Sequence, residues 1–363
     1  MNITLVAGAR PNFMKIAPII KAIKQAQAAG KNIQYRLVHT GQHYDKKMSA
    51  DFFEQLGIPE PDTNLECGGG TQAEQTAAIM VKFEQELMAH RPNLVLVVGD
   101  VTSTMACTIT AKKLCVDATH VEAGIRSGDM TMPEEINRIV TDSLCDYFFT
   151  TSEQANAQLK KNGVADKSIF FVGNTMIDTL FQNIDRIQKP NFWDTNNLKQ
   201  GGYFLVTLHR PSNVDDPKKL EAILTAIEGA AMGLPIVFPV HPRTRQIIDK
   251  FKISDKGILM IDPQGYLEFM YLIKNARGII TDSGGITEEA TVLHIPCLTL
   301  RNSTERPETV TIGTNELIGD AIDKLKPCLD KIMKGEWKKG EVPPFWDGHT
   351  SERIIDVLCK LYA

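Results

Sequence analysis

The 363-residue sequence lacks the features of several protein classes. Its seven cysteines include no Cys-x-x-Cys pair, which argues against zinc ribbons and thiol-redox motifs and fits reduced thiols. No apolar run approaches the roughly 20 residues that span a bilayer. Forty Lys and Arg against 44 Asp and Glu give a net charge of -4, without the dense basic face that nucleic acids or anionic membranes require. We therefore expect a cytoplasmic protein whose partner is a small molecule rather than nucleic acid or a membrane.

Cofactor and metal motifs are also missing. The sequence contains neither Gly-x-Gly-x-x-Gly after its first predicted strand nor a Gly-Lys-Ser/Thr phosphate loop, so a dinucleotide or P-loop site is unsupported. His39 and His43 flank a Thr-Gly-Gln turn without an evident third ligand. We expect no metal and no cofactor.

The pattern that is present is a regular alternation of strands and helices. With 363 residues, of which 43% are hydrophobic, the chain is long and apolar enough to bury a large core. The alternation predicts an α/β fold, with two doubly wound Rossmann-like domains facing across a cleft and ligand at the carboxyl ends of the strands. Short apolar runs predict strands at residues 3–7, 33–39, 94–98, 118–121, 147–150, 169–172, 203–207, 236–239, 258–261, 278–281 and 297–300.

Helix signals lie between these runs. Apolar spacing predicts helices at residues 15–27 and 351–362, and Pro133 suits the first turn of another. Thr151 with Gln154 resembles a capping box, and Asp216 before Pro217 predicts a capped helix start. The polar, strand-free stretch 188–197 is interpreted as a linker or a surface excursion.

Charged residues follow the first predicted strands. Arg10 and Lys15 stand where the first helix begins, an environment that suits an anion, but on this segment alone an ordinary turn with two solvated cations is the favoured explanation. Asp100 follows the strand at 94–98 and suits either ligand and acid–base chemistry or a helix N-cap.

Two glutamates in the first half suit general acid–base chemistry. Glu122 ends a strand and Glu134 begins a helix, and two carboxylates in different environments can have separated pKa values. The alternative for Glu134 is a favourable helix-dipole position with an i,i+4 pair to Arg138. His120 is expected to face packing or an internal hydrogen bond rather than substrate.

The second half carries cationic and glycine-rich strand ends. His209 and Arg210 follow one strand, and the histidine suits protonation or stabilisation of a leaving phosphate. His241 follows the next strand. Ser283, Gly284 and Gly285 form a strand-to-helix junction that offers backbone amides to an anion. Glu289, one turn into the following helix, suits acceptance of hydrogen bonds from ribose hydroxyls, and Arg306 stands in a loop after a strand.

The chain resembles the bacterial non-hydrolysing UDP-N-acetylglucosamine 2-epimerases of the glycosyltransferase-B fold. The motifs that carry the resemblance are Gly8-Ala9-Arg10-Pro11, His120-Val121-Glu122-Ala123-Gly124-Ile125-Arg126 and Thr304-Glu305-Arg306-Pro307-Glu308. It implies conversion of UDP-N-acetylglucosamine to UDP-N-acetylmannosamine for surface polysaccharide synthesis. It further implies elimination and re-addition of UDP through a 2-acetamidoglucal, and a homodimer.

The resemblance also implies roles for individual residues. Asp100, Glu122 and Glu134 would be the acid/base carboxylates, with His209 acting on the diphosphate. Diphosphate charge would be held by Arg10, Lys15, Arg210 and Arg306. Ser283, Gly284 and Gly285 would donate from their loop, Glu289 would bind ribose, and Gln264 with Phe269 would line the uracil pocket. The domains implied are 1–172, onto which 351–363 packs back, and 178–350, the UDP-binding domain, with the boundary near 173–178.

Two segments depart from the family pattern. Gln42-His43-Tyr44-Asp45 stands where many members have Gln-His-Arg-Glu, and Arg210-Pro211-Ser212 stands where they have Arg-Arg-Glu. The resemblance therefore does not extend activation by a second UDP-N-acetylglucosamine to this chain. Alternatives that stay open are an epimerase for a related UDP-2-acetamido sugar, such as a 2,3-diacetamido sugar, a glycosyltransferase of the same fold, and a non-catalytic sugar-nucleotide sensor.

Overall fold

A computed structural model describes residues 1–41, 53, 55–254 and 256–363. The strands are β1 Asn2–Ala7, β2 Gln34–His39, β3 Thr63–Asn64, β4 Leu94–Val98, β5 Asp117–Val121, β6 Tyr147–Thr150, β7 Ile169–Phe171, β8 Phe204–Thr207, β9 Ile236–Pro239, β10 Ile258–Ile261, β11 Gly278–Thr281, β12 Cys297–Thr299 and β13 Asn315–Leu317.

Helices alternate with these strands. They are α1 Arg10–Ala28, α2 Gln72–Ala89, α3 Thr102–Lys113, α4 Pro133–Leu144, α5 Glu153–Lys161, α6 Thr175–Asn183, α7 Phe192–Thr195, α8 Pro211–Val214, α9 Pro217–Ala230, α10 Pro242–Phe251, α11 Tyr266–Asn275, α12 Gly284–Val292, α13 Pro307–Thr311, α14 Leu325–Lys334 and α15 Thr350–Leu361. Short 3-10 turns lie at Asp166–Ser168, Ile184–Arg186 and Ile322–Lys324.

The chain divides into two compact units. Unit 1 comprises Met1–Gln182 with Pro344–Ala363, and unit 2 comprises Asn183–Pro343. Each unit is built on one parallel sheet, with the strand order β3-β2-β1-β4-β5-β6-β7 in unit 1 and β10-β9-β8-β11-β12-β13 in unit 2. The predicted α/β class with two parallel sheets is confirmed.

The unit 1 sheet is covered on both faces. Apolar side chains of α1 and α15 pack on one face, among them Ile16, Ile20 and Ile355. Helices α2 and α3 cover the other face through residues such as Ile79 and Phe83. Burial on both sides explains the uninterrupted apolar run of β4.

Helix α15 is joined to unit 1 by a buried carboxylate as well as by apolar packing. Asp178 accepts hydrogen bonds from the amides of Thr350 and Ser351, at 3.0 and 2.6 Å, and so caps the first turn of α15. The last residues of the chain therefore complete the unit that the first residues begin.

One local prediction is wrong. The cap of α5 is Ser152, whose hydroxyl accepts from the Ala155 amide at 3.3 Å, rather than Thr151, which is buried one residue earlier. The stretch 188–197 has no strand and is mostly exposed, which agrees with a surface excursion. Trp193 attaches it to unit 2, because the ring is buried edge-on against Tyr203 and Tyr271. The Asp216 cap is confirmed, since its side chain accepts from the Lys218 amide at 3.0 Å.

Candidate functional site

In unit 1, the ends of three strands meet where the strand order reverses. Strand β1 lies beside β4 and β4 beside β5, with Val98 level with Val121. The loops that follow these strands therefore lie side by side. Such a switch point is where open α/β sheets bind their ligands.

The central contact at this edge joins a lysine to a glutamate. The Lys15 Nζ atom of α1 lies 2.8 Å from Glu122 Oε2, and Glu122 is only 4% exposed. Burying the carboxylate is costly unless a cation partners it. Glu122 also has a left-handed backbone with φ +70°, which costs a residue other than glycine roughly 1–2 kcal/mol. Backbone strain of this kind persists only where the surrounding fold holds the residue in place, and it is concentrated at functional sites.

Asp100 is held by α4 and does not cap α3. Helix α3 begins after Val101, and the Asp100 carboxylate instead accepts a short hydrogen bond from Arg138. Asn137 fixes the same residue by donating to its carbonyl oxygen at 2.8 Å. The N-cap alternative for Asp100 is therefore wrong, and so is the Glu134–Arg138 pair, since Arg138 contacts Asp100 and Glu135.

The two adjacent glutamates of α4 have different environments. Glu135 is buried and accepts from the amides of Ser127 and Gly128, at 2.8 and 3.1 Å. Burial alone would raise the pKa of Glu135, but these hydrogen bonds and Arg138 hold it below its usual value. Glu134 is partly exposed in the first turn of α4. Glu135 therefore fixes the loop before α4, and Glu134 is the carboxylate that remains accessible for chemistry.

His120 supports the same edge from inside the protein, as expected. Its Nδ1 lies 2.7 Å from Asp142 Oδ1, and its Nε2 lies 2.8 Å from the carbonyl oxygen of Gly99. Asp142 also accepts from the Gly124 amide and from Arg126. Burial favours a higher pKa for Asp142, but His120 and Arg126 lower it, so the carboxylate stays ionised.

The sheet of unit 2 also reverses its strand order, between β8 and β11, and charged residues follow both strands. His209 lies beyond β8, and Asp282 follows β11 directly. His209 Nδ1 is 2.7 Å from Asp282 Oδ1, while 54% of the histidine side chain stays exposed. Asp282 therefore orients the ring and leaves its Nε2 edge directed away from the pair.

Asp282 organises the whole loop after β8. It accepts from the amides of His209 and Arg210 and from Asn213 Nδ2, at distances between 2.9 and 3.2 Å. Burial favours a higher pKa for Asp282, but His209 and these amides hold it below its usual value. Sequence reasoning gave Asp282 no role, although it has the same strand-end position that marked Asp100.

Helix α12 begins at the glycine pair, next to Asp282. Ser283 is its N-cap residue, and an added Cβ on Gly285 would meet no described atom within 4 Å. Helix N-termini present amide donors without intrahelical acceptors and attract anions. Arg306, nine-tenths buried, donates a short hydrogen bond to Glu288 of this helix.

The remaining predicted contacts of unit 2 lie on other helices. Glu289 is buried beside Tyr266 of α11, and burial, reinforced by the charge of Glu288, raises the pKa of Glu289 to about 8. Gln264 precedes α11 and donates to the Asp262 carbonyl at 2.8 Å, and Phe269 is partly buried on α11. His241 is an exposed N-cap of α10 whose Nδ1 accepts from the Arg243 amide.

Comparison with known proteins identifies the family. The sequence profile described as UDP-N-acetylglucosamine 2-epimerase matches residues 25–359. The UDP-N-acetylglucosamine 2-epimerase of Methanocaldococcus jannaschii is 40% identical over 99% of each chain. The chain belongs to the UDP-N-acetylglucosamine 2-epimerase family.

Other members sharpen the assignment. A crystal structure of the M. jannaschii UDP-N-acetylglucosamine 2-epimerase in complex with UDP-N-acetylglucosamine and UDP covers 100% of both chains with a TM-score of 0.87. The UDP-2,3-diacetamido-2,3-dideoxy-D-glucuronate 2-epimerase of Pseudomonas aeruginosa is 39% identical over 99% of this chain and 100% of its own. Family membership confirms the prediction of an enzyme with a glycosyltransferase-B-type fold.

Some residues predicted from the epimerase resemblance lie beyond what can be described. Arg10 begins α1, but its side chain lies outside the described part of the structure. The departure at Gln42-His43-Tyr44-Asp45 also falls outside the described residues.

Among the described helices, none is both long and apolar enough to cross a membrane.

Proposed function

We propose that the chain reversibly converts UDP-N-acetylglucosamine to UDP-N-acetylmannosamine by epimerisation at C2. The observation that carries this proposal is the set of carboxylates in unit 1, namely Asp100 and Glu122 after strands β4 and β5 and Glu134 in the first turn of α4. Inverting C2 requires a base on one face of the sugar and an acid on the other. Family membership supports the same activity. We further propose that the product feeds surface polysaccharide synthesis, and that the protein is a cytoplasmic homodimer.

The proposed route is elimination of UDP across C1–C2, followed by its re-addition. The C2 proton has no adjacent carbonyl to acidify it, so departure of UDP must assist its removal. Removal of this proton by a carboxylate, together with departure of UDP from C1, produces a 2-acetamidoglucal. Protonation of the opposite C2 face and return of UDP to C1 then give the epimer. Lys15 Nζ lies 2.8 Å from Glu122 Oε2 and holds this carboxylate in position.

Unit 2 is proposed to hold the leaving UDP. His209, oriented by Asp282, would stabilise the diphosphate as negative charge develops on it. The start of α12 would donate from Ser283, Gly284 and Gly285, and Glu289 would accept from ribose hydroxyls. Further contacts are proposed for Arg10, Lys15, Arg210 and Arg306 with diphosphate, for Gln264 and Phe269 with uracil, and for His241 with the nucleotide sugar.

A second candidate substrate is a UDP-2,3-diacetamido sugar. The relatives named for the two substrates are 40% and 39% identical to this chain, so overall similarity does not separate them. The C2 chemistry is the same for both, because each carries the acetamido group at C2. The difference lies in the groups at C3 and C6.

The test is incubation of the enzyme with each UDP-sugar alone in heavy water. We expect deuterium at C2 of both epimers of the true substrate, with Glu122→Gln and Glu134→Gln lowering the rate by about 10²–10⁴-fold. Glu153→Gln, which changes a first-turn glutamate of α5, is the matched control and should retain the wild-type rate. Absence of C2 deuteration with every UDP-sugar would refute the epimerase. Transfer of the sugar to an added acceptor with release of UDP, and no C2 deuteration, would indicate a glycosyltransferase. Tight UDP binding without turnover would indicate a sensor.

A further inference from the structure

One arginine of unit 2 has half of its guanidinium group satisfied. Arg301 follows β12, and its Nη2 donates to Glu305 Oε1 at 2.7 Å. Its Nη1 is buried and has no hydrogen-bond partner among the described residues. The side chain is only 6% exposed. A buried charged donor without an acceptor is costly, which indicates that an acceptor arrives from elsewhere.

The open side of Arg301 faces the start of α12. A Cβ added to Gly284, the first residue of this nine-residue helix, would lie 3.6 Å from Arg301 Nη1 and 3.9 Å from Glu305 Oε2. The free amides of the first turn point out of the same helix end. The missing side chain of Gly284 therefore keeps space open between two sets of donors.

The local charge favours an anion in this space. Glu305 Oε1 contacts Arg301 and also lies 4.0 Å from Arg210 Nη2, so one carboxylate stands between two guanidinium groups. A phosphate offers several acceptor oxygens and negative charge, which suits an arginine beside helix amides.

We propose that Arg301 binds a phosphate group of the UDP moiety at the start of α12, with Glu305 holding the guanidinium in place. This inference rests on the proposed function, which supplies the UDP, and adds a binding residue that sequence reasoning did not identify. Uridine lacks the phosphates and therefore should not depend on Arg301.

The experiment is calorimetric titration of the full chain with UDP and with uridine. We expect Arg301→Met to weaken UDP binding by about 10- to 100-fold, the range for a hydrogen bond to a charged group, and to leave uridine affinity within about twofold. Arg301→Lys should restore only part of the UDP affinity, because it keeps the charge but loses the two-armed donor. Arg277→Met is the control, since Arg277 donates to the Met333 carbonyl at the opposite end of β11.

A second variant tests the space beside Gly284 rather than the charge of Arg301. Gly284→Ala places a methyl group near Arg301 at ordinary contact distance, so the free protein should keep its melting temperature while UDP affinity falls and uridine affinity does not. Gly229→Ala, within α9 and without neighbours inside 4 Å, is its control.

The outcomes separate this inference from the proposed function. Unchanged UDP affinity in Arg301→Met and Gly284→Ala overturns the inference, as does equal weakening of UDP and uridine. Arg301-dependent UDP binding by a wild-type protein that epimerises no UDP-sugar supports the inference and refutes the proposed function. Absence of UDP binding by the wild type refutes both.

Discussion

Two histidine–aspartate pairs in this chain have the same contact and different surroundings. His120 with Asp142 in unit 1 and His209 with Asp282 in unit 2 both join Nδ1 to a carboxylate oxygen at 2.7 Å. His120 is fully buried and its Nε2 contacts the Gly99 carbonyl, whereas 54% of the His209 side chain is exposed. The comparison teaches that the pair itself does not define a catalytic histidine. What the second ring nitrogen faces decides whether the pair supports the fold or reaches a ligand.

The largest expected effect comes from replacing each of the two histidines by asparagine. His209→Asn should lower epimerisation about 10²–10⁴-fold at an unchanged melting temperature, because the ring is half-exposed and the proposed mechanism has it act on the diphosphate. His120→Asn should lower the melting temperature, because Asp142 and the Gly99 carbonyl lose their donors. Turnover assays and thermal melting measure both, with His349→Asn as the exposed control. Wild-type turnover of His209→Asn would contradict the assignment of His209 to the ligand and of His120 to the fold.

The buried carboxylate of unit 1 offers the next test. Asp142→Asn should reduce the free energy of unfolding by about 3 kcal/mol, because His120 and Arg126 lose the anion that compensates them. Asp146→Asn is the matched control, since its pair with Lys112 is about one-third exposed and should be worth less than about 1 kcal/mol. Urea denaturation compares the two, and similar losses would show that burial is not the cause.

Stability against pH separates the paired aspartates from Glu289. The pKa of Glu289 is raised from 4.5 to about 8, so the folded chain binds the extra proton and its stabilisation is lost as pH rises from about 4.5 through 8. The lowered pKa values of Asp142 and Asp282 act in the opposite direction, and their stabilisation is lost as pH falls below about 4.

Melting temperatures between pH 5 and 9 test this difference. Glu289→Gln should flatten the alkaline decline by a few degrees, since a neutral side chain replaces the titrating one. Glu221→Gln, an exposed change on α9, should keep the wild-type slope. An unaltered slope in Glu289→Gln would mean that Glu289 is ionised throughout.

The smallest expected effect sets the baseline for carboxylates outside the buried pairs. Asp216→Ala removes the cap of α9 and should cost about 1 kcal/mol without changing turnover. Urea midpoints and activity measure it. A loss as large as that of Asp142→Asn would remove the contrast between buried and exposed carboxylates.

The sequence predicts the sheets better than the contacts at their edges. All eleven predicted strands form, whereas β3 (Thr-Asn) and β13 (Asn-Glu-Leu) were missed because they are short and mostly polar and so form no apolar run. Asp100, Glu122 and His209 could be selected because strand ends are recognisable. The contacts of Asp100 with Arg138 and of His209 with Asp282 could not be predicted, because these pairs form only through tertiary packing. Asp282 itself could have been selected, because it has the same strand-end position as Asp100. Arg301 could not be selected from the sequence either. It belongs to no motif, and what distinguishes it is a buried Nη1 atom without an acceptor among the described residues.

The capping of α15 by Asp178 has a consequence for synthesis on the ribosome. In the sequence, the residues of unit 2 separate the two segments of unit 1, and α15 belongs to the second of these segments. Unit 2 can therefore complete its core before unit 1, although translation of unit 1 begins first. Until α15 arrives, the face of α1 around Ile16 and Ile20 remains open. During that interval the nascent chain exposes an apolar surface of the kind that favours aggregation, and the packing of α15 buries it.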